Sequence, residues 1–150
     1  AGHLSLIEKA KSVADKVVVS IYVNPMQFSA GEDFDSYPRT FAEDSEMLFN
    51  AGVDLLFYPN SKSIYPSSEK KTTQVYVPEI SKILCGEHRP DHFLGVTTIV
   101  NKFFNIIQPD VAIFGQKDYQ QVSIIRIMVA DLFMPVEIIA VETKREPDWQ

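Results

Sequence analysis

The fold is decided by the stretch Val111-Ala-Ile-Phe-Gly-Gln-Lys-Asp-Tyr-Gln-Gln121, in which a short apolar run ends at Gly115 and a polar segment follows at once. We predict a buried strand over 111–114 and, from apolar residues at helical spacing further on, a helix that begins near Asp118. A glycine lets a ligand approach the backbone, and the free N–H groups at a helix start attract anions. Because Lys117 adds a positive charge, this junction is a candidate phosphate site, although lysines also occur at such turns without a ligand.

The junction is not the phosphate loop of many nucleotide hydrolases. It lacks the second glycine of that motif and the Ser or Thr that follows its lysine. In open α/β sheets, ligands bind beyond the carboxyl ends of the strands, which is where this junction lies. A nucleotide bound here would therefore be held in another way.

Composition excludes several classes of protein. With 150 residues, 45% of them hydrophobic, the sequence fits one domain with a sizeable core. A formal net charge of −6 and the lack of a basic stripe argue against nucleic-acid binding. The single cysteine, Cys85, cannot form an internal disulfide, and we expect it to be a small buried residue rather than a nucleophile. With no apolar run of membrane-spanning length and no signal peptide, we expect a cytoplasmic protein without a membrane partner.

Helical and strand-like patterns alternate along the chain. Leu6 to Ala14 predicts a helix, 17–23 a strand, 40–51 a helix closed by Gly52, and 53–58 a strand. Val96 to Ile107 predicts an amphipathic helix that leads into the strand at 111–114, and a final strand is predicted over 136–141. The order predicts an α/β fold with a parallel sheet and helices on both faces.

Several shorter segments carry weaker signals. We interpret 26–39 as a long loop and 59–73 as exposed, with Thr40 and Glu43 as a capping box between them. Gln74 to Val77 is predicted to be a short edge strand, and Pro78 to Leu84 a short helix ended at Gly86. The turn-rich segment 87–95 contains two of the three histidines, and by itself it suits a solvated surface loop.

Five blocks of residues together resemble one family, pantothenate synthetase (pantoate:β-alanine ligase). In chain order they are Gly2-His-Leu-Ser-Leu-Ile7, Val19-Ser-Ile-Tyr-Val-Asn-Pro-Met-Gln-Phe28, Glu32-Asp-Phe-Asp-Ser-Tyr-Pro-Arg-Thr40, Arg89-Pro-Asp-His-Phe-Leu-Gly95 and Phe114-Gly-Gln-Lys-Asp-Tyr-Gln-Gln121. The resemblance covers nearly the whole chain. Any one block would be a weak signal, whereas five in the same order are specific.

The resemblance implies a Rossmann-like domain of the nucleotidylyltransferase superfamily. Members of the family condense pantoate with β-alanine at the expense of ATP, through a pantoyl adenylate, and release pyrophosphate and AMP. It also implies that a homodimer forms. An opening strand and a C-terminal lid domain of the family have no counterpart in the sequence. Two alternatives remain open at this point: a non-catalytic fragment of such an enzyme, or a different nucleotidylyltransferase.

The resemblance also implies roles for particular residues. His3 and Lys117 would be catalytic, contacting the phosphates of ATP. The rest of the ATP site would be Gly2, Gly115, Gln116, Asp118 and Lys144. Pantoate would be held by Asn24, Met26, Gln27 and Gln121, since amides both donate and accept hydrogen bonds without repelling an anion.

Two further groups of residues follow from the same resemblance. Tyr37, Arg89 and His92 would belong to active-site loops. Glu43 or Asp44 would interact with a magnesium ion that is carried mainly by the substrate phosphates. Glu43 also has a sufficient explanation as a helix cap, and the two glutamines could be ordinary surface amides.

Overall fold

A computed structural model describes the backbone of residues 2–28 and 41–142, and the side chains from Leu4 onward within those ranges. Within them the helices are α1 (Gly2–Val13), α2 (Phe41–Asn50), α3 (Ser61–Ile64), α4 (Cys85–His88), α5 (His92–Ile107) and α6 (Tyr119–Asp131). The strands are β1 (Val18–Ser20), β2 (Leu55–Phe57), β3 (Val111–Gly115) and β4 (Glu137–Val141). Two 3₁₀ helices span Pro25–Gln27 and Ile80–Lys82. The predicted alternation of helices and strands is confirmed for the main elements.

The strands form two parallel pairs. β1 pairs with β2 in the register Val19 to Leu56, and β3 pairs with β4 in the register Ile113 to Ile139. Parallel pairing of successive strands requires a crossover, which α2 supplies for the first pair and α6 for the second.

An apolar groove of about 650 Å³ separates the two pairs of strands. Residues 18–21, in and just after β1, line one side of the groove, and residues 111–114 of β3 line the other. Residues of α1, α2 and α5 complete its lining. Within the described ranges, β1 and β3 therefore each turn one edge toward the same space, lined mainly by aliphatic and aromatic side chains.

The main core lies where α5 and α6 meet the second pair of strands. Ile124 and Ile125 are fully buried, and Met128 almost so, in a cluster that includes Phe93 and Val96 of α5. A second cluster joins Met26, Ile64, Tyr65 and Ile99. α5 contributes to both clusters and so connects the two halves of the fold.

The end of α2 follows the predicted glycine stop. Gly52 has φ +84°, and its N–H donates to the Phe49 carbonyl over 3.1 Å. Lys11 of α1 donates to the Gly52 carbonyl over 3.0 Å. A residue with a Cβ would be strained at this left-handed position, which explains why glycine ends the helix here.

Gln74 to Val77 is not a strand, contrary to the sequence prediction. The hydroxyls of two α5 threonines take the place of a neighbouring strand: the Val75 N–H donates to Thr98 Oγ1 over 3.1 Å, and Thr97 Oγ1 donates to the Val75 carbonyl. Both threonines are buried. Because these hydroxyls satisfy the Val75 backbone, the segment lies on a helix rather than at a sheet edge.

The prediction of one short helix ended at Gly86 was also wrong. A 3₁₀ helix covers only Ile80–Lys82, and Gly86 lies inside α4. A Cβ on Gly86 would come within 1.9 Å of the Ser81 carbonyl oxygen. The glycine is therefore required for close packing of two short helices rather than for a helix end.

The polar stretch after β2 is more ordered than expected. Asn60 caps α3, its Oδ1 accepting a hydrogen bond from the Ser63 N–H over 2.8 Å. Ile64 and Tyr65 are then buried, so the expectation of an exposed stretch over 59–73 was wrong at these two positions.

Two other boundaries differ from expectation. α5 begins at His92, four residues before the predicted start, so 87–95 is not a surface loop. The loop predicted over 26–39 begins with the end of a 3₁₀ helix, while its remainder beyond Phe28 and the Thr40 half of the capping box lie outside the described residues. No helix in the described ranges is both long and apolar enough to cross a membrane.

Candidate active site

The first part of the candidate site is the turn that follows β1. The side chain of Asn24 accepts a hydrogen bond from the Met26 N–H over 3.3 Å, and Pro25 occupies the first position of the 3₁₀ helix. Asn24 and Met26 are only 5% and 9% exposed. A proline at the start and an asparagine cap are favourable for a helical turn, which explains why the chain bends here.

The Asn24 side chain is fully hydrogen-bonded. Its Oδ1 also accepts from the Tyr65 hydroxyl, while its Nδ2 donates to Gln27 Oε1 over 3.0 Å and to the Gly95 carbonyl over 3.1 Å. Because the backbone N–H of Met26 can only donate, the atom facing it must be the amide oxygen, and the orientation of Asn24 is fixed.

The turn packs against the first turns of α5. A Cβ on Gly95 would lie 2.8 Å from the backbone N of Gln27 and 2.8 Å from the backbone oxygen of Met26. Only a glycine allows α5 and the 3₁₀ helix to approach so closely. The same contact brings the start of α5 to the pantoate residues predicted from the sequence.

Arg89 and His92 both point to the Gln27 backbone. Arg89 Nη2 donates to the Gln27 carbonyl over 3.5 Å, and His92 Nδ1 lies 3.4 Å from the same oxygen. These are long contacts, and the second needs the tautomer with a proton on Nδ1. Both side chains are half-buried, which places the histidine-rich segment beside the turn rather than in solvent.

The second part of the candidate site is the junction between β3 and α6. β3 ends at Gly115, the Gln116 N–H donates to the Val141 carbonyl over 2.8 Å, and α6 begins at Tyr119. The predicted strand-to-helix junction is therefore confirmed. Lys117 and Asp118 are exposed, and Asp118 stands at the N-cap position without a capping hydrogen bond from its side chain.

Gln121 lies in the first turn of α6 and is half-buried. In the described part of the chain its side chain makes no hydrogen bond, whereas the side chain of its neighbour Gln120 makes three. Gln120 and Gln121 lie in the first turn of α6, next to the junction. The side-chain amide of Gln121 is therefore available to a ligand near the first backbone N–H groups of α6.

The hydrogen bonds join Asn24, Gln27, Arg89 and His92 into one group. Gln121 has no hydrogen bond to that group among the described residues. α5 connects the two parts of the site indirectly, since Gly95 meets the 3₁₀ helix and Val96 packs into the core with Val122 of α6.

The two carboxylates predicted to interact with magnesium lie in the first turn of α2. Asp44 lines the groove, whereas Glu43 is exposed. Adjacent helical residues point in different directions, so the pair does not form a chelating site. No cluster of three or more His, Cys, Asp or Glu side chains that could hold a metal is found over 2–28 and 41–142.

Some predicted site residues cannot be located. Tyr37 and Lys144 lie outside the described residues. Gly2 and His3 form the start of α1, which packs against β3, but the side chain of His3 lies outside the described part.

Sequence reasoning missed Tyr65 and Gln120. Burial raises the pKa of Tyr65 above its ordinary value, and Lys102 Nζ lies 4.6 Å from the centre of its ring. Gln120 ties α6 to the segment before α4, accepting from the Cys85 N–H and donating to the Ile80 and Ile83 carbonyls. Gln120 stands in the block Phe114 to Gln121 but was given no role there, and Tyr65 stands in none of the five blocks. Cys85, expected to be buried, is exposed.

Comparison with known proteins agrees with the geometry. The family model "Pantoate-beta-alanine ligase" matches residues 1–149. The chain is 59% identical over 145 residues to a pantothenate synthetase of Shewanella piezotolerans, covering 97% of this chain and 51% of that protein. It is 60% identical over 146 residues to a pantothenate synthetase of Shewanella amazonensis, with 97% and 52% covered.

Solved structures match at lower sequence identity and with a closely similar fold. Pantothenate synthetase from Thermus thermophilus superposes with a TM-score of 0.94 at 46% identity, over 98% of this chain and 53% of that one. Pantoate-beta-alanine ligase from Francisella tularensis, complexed with beta-gamma ATP and beta-alanine, gives a TM-score of 0.92 at 43% identity, over 97% and 56%. The chain spans about half the length of the curated relatives it matches. The family model, the relatives and the α/β fold agree, and the chain belongs to the pantoate–β-alanine ligase family.

Proposed function

We propose that this chain forms the ATP- and pantoate-binding part of an enzyme that condenses pantoate with β-alanine to pantothenate. The observation that carries the proposal is the match of the family model over residues 1–149. The reaction would pass through a pantoyl adenylate and release pyrophosphate and AMP. The ligands named for the Francisella tularensis structure, beta-gamma ATP and beta-alanine, are two reactants of this scheme or their analogues.

The turn after β1 would bind pantoate. Asn24 and Met26 would line one side of the bound acid. Because Asn24 Nδ2 donates to Gln27 Oε1, the Gln27 Nε2 is left to donate to the acid. Gln121 would supply a second amide from the start of α6. Amides suit a hydroxylated carboxylate because they donate to its oxygens and accept from its hydroxyls.

The junction between β3 and α6 would bind ATP. Gly115 and Gln116 bring backbone close to the nucleotide, Lys117 supplies positive charge to the phosphates, and Asp118 would face the ribose. His3 at the start of α1 and Lys144 after β4 would complete the phosphate site, with Gly2 giving the nucleotide room. In support, α1 packs against β3, the strand that ends at the junction.

The first chemical step would be attack by a pantoate carboxylate oxygen on the α-phosphorus of ATP. An oxygen–phosphorus bond forms, the bond from the α-phosphorus to pyrophosphate breaks, and pyrophosphate leaves with the electron pair. Lys117 and His3 would stabilise the growing negative charge, which is the main contribution that a protein makes to such a transfer.

The second step would be attack by the amine of β-alanine on the acyl carbon. A carbon–nitrogen bond forms, AMP leaves with the electrons of the carbon–oxygen bond, and the proton released by the amine passes to solvent. Arg89 and His92, which lie beside the Gln27 backbone, and Tyr37 would border the site where this occurs.

Magnesium would fit only as an ion held mainly by the phosphates. Asp44 offers one carboxylate toward the groove, and one protein ligand suits an ion that keeps its waters and phosphate oxygens. The ion would neutralise phosphate charge. Glu43, exposed on the same helical turn, would at most contact its water shell.

We also propose that the groove between β1 and β3 holds an extended apolar strand of the same protein, with a smaller C-terminal domain covering the site. In support, each described strand pair turns an edge to the groove, and the relatives are about twice as long. Amide hydrogen exchange at 18–20 and 111–115 should be slower in the product of the complete gene than in this chain alone. Equal exchange in both would contradict this proposal.

The test of the function is pantoate-dependent exchange of labelled pyrophosphate into ATP by the product of the complete gene. Exchange there but not in the isolated chain would identify the chain as a non-catalytic fragment of a ligase. Gln121→Ala should weaken the use of pantoate and leave the KM for ATP unchanged, whereas a nucleotidylyltransferase with another substrate would not respond to this change. No exchange with pantoate by the complete protein would refute the ligase.

Two other properties belong to the same proposal. We expect the complete protein to be a homodimer and to be found in the cytoplasm. Light scattering coupled to size exclusion would measure the mass, and a monomer at micromolar concentration would contradict the first expectation. Fractionation of cells that produce the protein would check the second.

A further inference from the structure

Tyr65 is a buried tyrosine whose hydroxyl is directed at the candidate pantoate site. It follows the short helix α3, far from the site in sequence, and only 4% of its surface is exposed. Its hydroxyl donates to Asn24 Oδ1, and Asn24 Nδ2 donates in turn to Gln27 Oε1 over 3.0 Å. We name this sequence of two hydrogen bonds the Tyr65–Asn24–Gln27 relay.

The relay has a fixed direction. A hydrogen on the Tyr65 hydroxyl and one on the Met26 N–H both point at the same oxygen of Asn24. The other end of the Asn24 amide must then donate, so the atom of Gln27 that it meets is the oxygen. The Gln27 Nε2 is consequently turned away from Asn24, and within the described ranges it has no protein partner.

We propose that Tyr65 is a positioning residue that acts together with the Met26 N–H and, through Asn24, holds Gln27 with its Nε2 toward the bound acid. This inference rests on the proposed function, because it assigns the acid to the Gln27 side of the site. A reversed Gln27 would present an oxygen to a carboxylate, and two acceptors facing each other repel. Tyr65 thereby selects an anionic, hydroxyl-bearing substrate without touching it.

The surroundings of Tyr65 keep its hydroxyl in place as a donor. Lys102 lies 4.6 Å from the ring centre and donates to the Ile64 carbonyl over 2.8 Å, which holds both the ring and the backbone before it. Ile64 and Ile99 pack beside it in one buried cluster. A tyrosine hydroxyl is protonated at neutral pH, and burial raises the pKa of Tyr65 further above that pH.

The matched control is Tyr22. Its hydroxyl lies 2.9 Å from Ser61 Oγ at an exposed position, and its ring packs edge-on against Phe103, 6.0 Å away, beside the same cluster. Tyr22→Phe therefore removes the same atom from the same neighbourhood without touching the relay.

The experiment compares Tyr65→Phe and Tyr22→Phe in the product of the complete gene, with pyrophosphate exchange and steady-state kinetics in both substrates. Tyr65→Phe should raise the KM for pantoate by roughly 5- to 30-fold, the effect of a misdirected buried hydrogen bond, and leave the KM for ATP within twofold. Tyr22→Phe should change neither. An unchanged pantoate KM, or equal changes in both KM values, would overturn the inference, since a merely structural tyrosine affects both substrates.

A second variant keeps the test decisive if the first is poorly folded. Asn24→Asp replaces the donor to Gln27 with a second acceptor, so Gln27 should reverse and the pantoate KM should rise more than in Tyr65→Phe. Asn24→Asp with unaltered pantoate kinetics would overturn the inference by itself. If the unmodified protein shows exchange with pantoate, the proposed function stands whatever the variants do; if it shows none, the proposed function fails first.

Discussion

Gly95→Ala gives the sharpest test of how the site is built, because two general effects change the free energy of unfolding in opposite directions. Gly95 lies inside α5, where replacing glycine by alanine should stabilise a helix by about 1 kcal/mol. In this structure, however, the new Cβ would lie 2.8 Å from the Gln27 N, the Met26 carbonyl carbon and the Met26 oxygen. All three atoms belong to the backbone, so no side chain can rotate away.

The magnitude follows from the displacement that is needed. Ordinary carbon contacts begin near 3.4 Å, so the 3₁₀ helix at Pro25–Gln27 must move away from α5 by about half an ångström or more. Overpacking of this kind costs about 1 to 3 kcal/mol. The movement also lengthens the buried hydrogen bond from Asn24 Nδ2 to the Gly95 carbonyl, now 3.1 Å, and a poorly satisfied buried amide costs about 1 to 3 kcal/mol more. After subtraction of the helix gain, we expect a net loss of about 1 to 5 kcal/mol.

The assay is urea unfolding of the complete protein, together with the kinetics of both substrates. Asn105→Ala is the control, since Asn105 is exposed on the same helix and the change brings the propensity gain without a new contact. Gly95→Ala should unfold at lower urea and raise the KM for pantoate, while Asn105→Ala should be neutral or stabilising. A Gly95→Ala protein as stable as the unmodified one would refute the close approach of α5 to the turn.

Three further predictions concern the nucleotide, the fold and pH. Lys117→Met should lower kcat/KM for ATP by about 10²- to 10³-fold with little change in melting temperature, and a loss below threefold in steady-state kinetics would exclude it from the phosphate site. Thr97→Val should cost about 1 to 3 kcal/mol in urea unfolding, because the Val75 carbonyl loses the shorter of its two hydroxyl donors and keeps only Thr98 Oγ1 at 3.3 Å; equal stability would mean that Thr98 alone satisfies this carbonyl. Burial raises the pKa of Tyr65, so the folded protein keeps a proton that the unfolded chain loses, and stability should fall as pH rises above about 10. In Tyr65→Phe, the free energy of unfolding should fall less steeply between pH 9 and 11. The same slope in both proteins would contradict the raised pKa of Tyr65.

The main elements of the fold were predictable because local sequence and tertiary packing agree in them. Gly52 stops α2, and the apolar run before Gly115 becomes β3, as their patterns indicate. The junction that carries Lys117 was found for the same reason, since a strand end and a helix start are both encoded locally.

The errors lie where side chains remote in sequence decide the structure. Val75 looked like part of a strand, but its backbone partners are threonine hydroxyls on α5, more than twenty residues later. Gly86 looked like a helix end, whereas glycine is needed there because the Ser81 carbonyl leaves no room for a side chain. Local periodicity contains no information about such contacts.

The candidate site also combines residues that were found from the sequence with contacts that were not. Asn24 and Gln27 were identified only through the family resemblance, and the Asn24 side chain that donates to Gln27 also accepts a hydrogen bond from Tyr65, which nothing in the sequence singled out. Buried polar networks are satisfied by whichever donor the fold brings near, so their members cannot be inferred from residue spacing.

The position of the groove determines how the two parts of the site are related. The turn that we propose to bind pantoate follows β1, and the junction that we propose to bind the phosphates follows β3; these two strands form the sides of the groove. Neighbouring strands lie about 4.8 Å apart, so a strand paired with both would set β1 and β3 roughly 10 Å from each other. That spacing would then fix the distance between Gln27 and Lys117, across which a carboxylate must reach an α-phosphorus. In the proposed reaction, adenylation would therefore depend on completion of the sheet as well as on the residues that contact the substrates, because a reaction that relies on positioning loses rate when its two half-sites can drift.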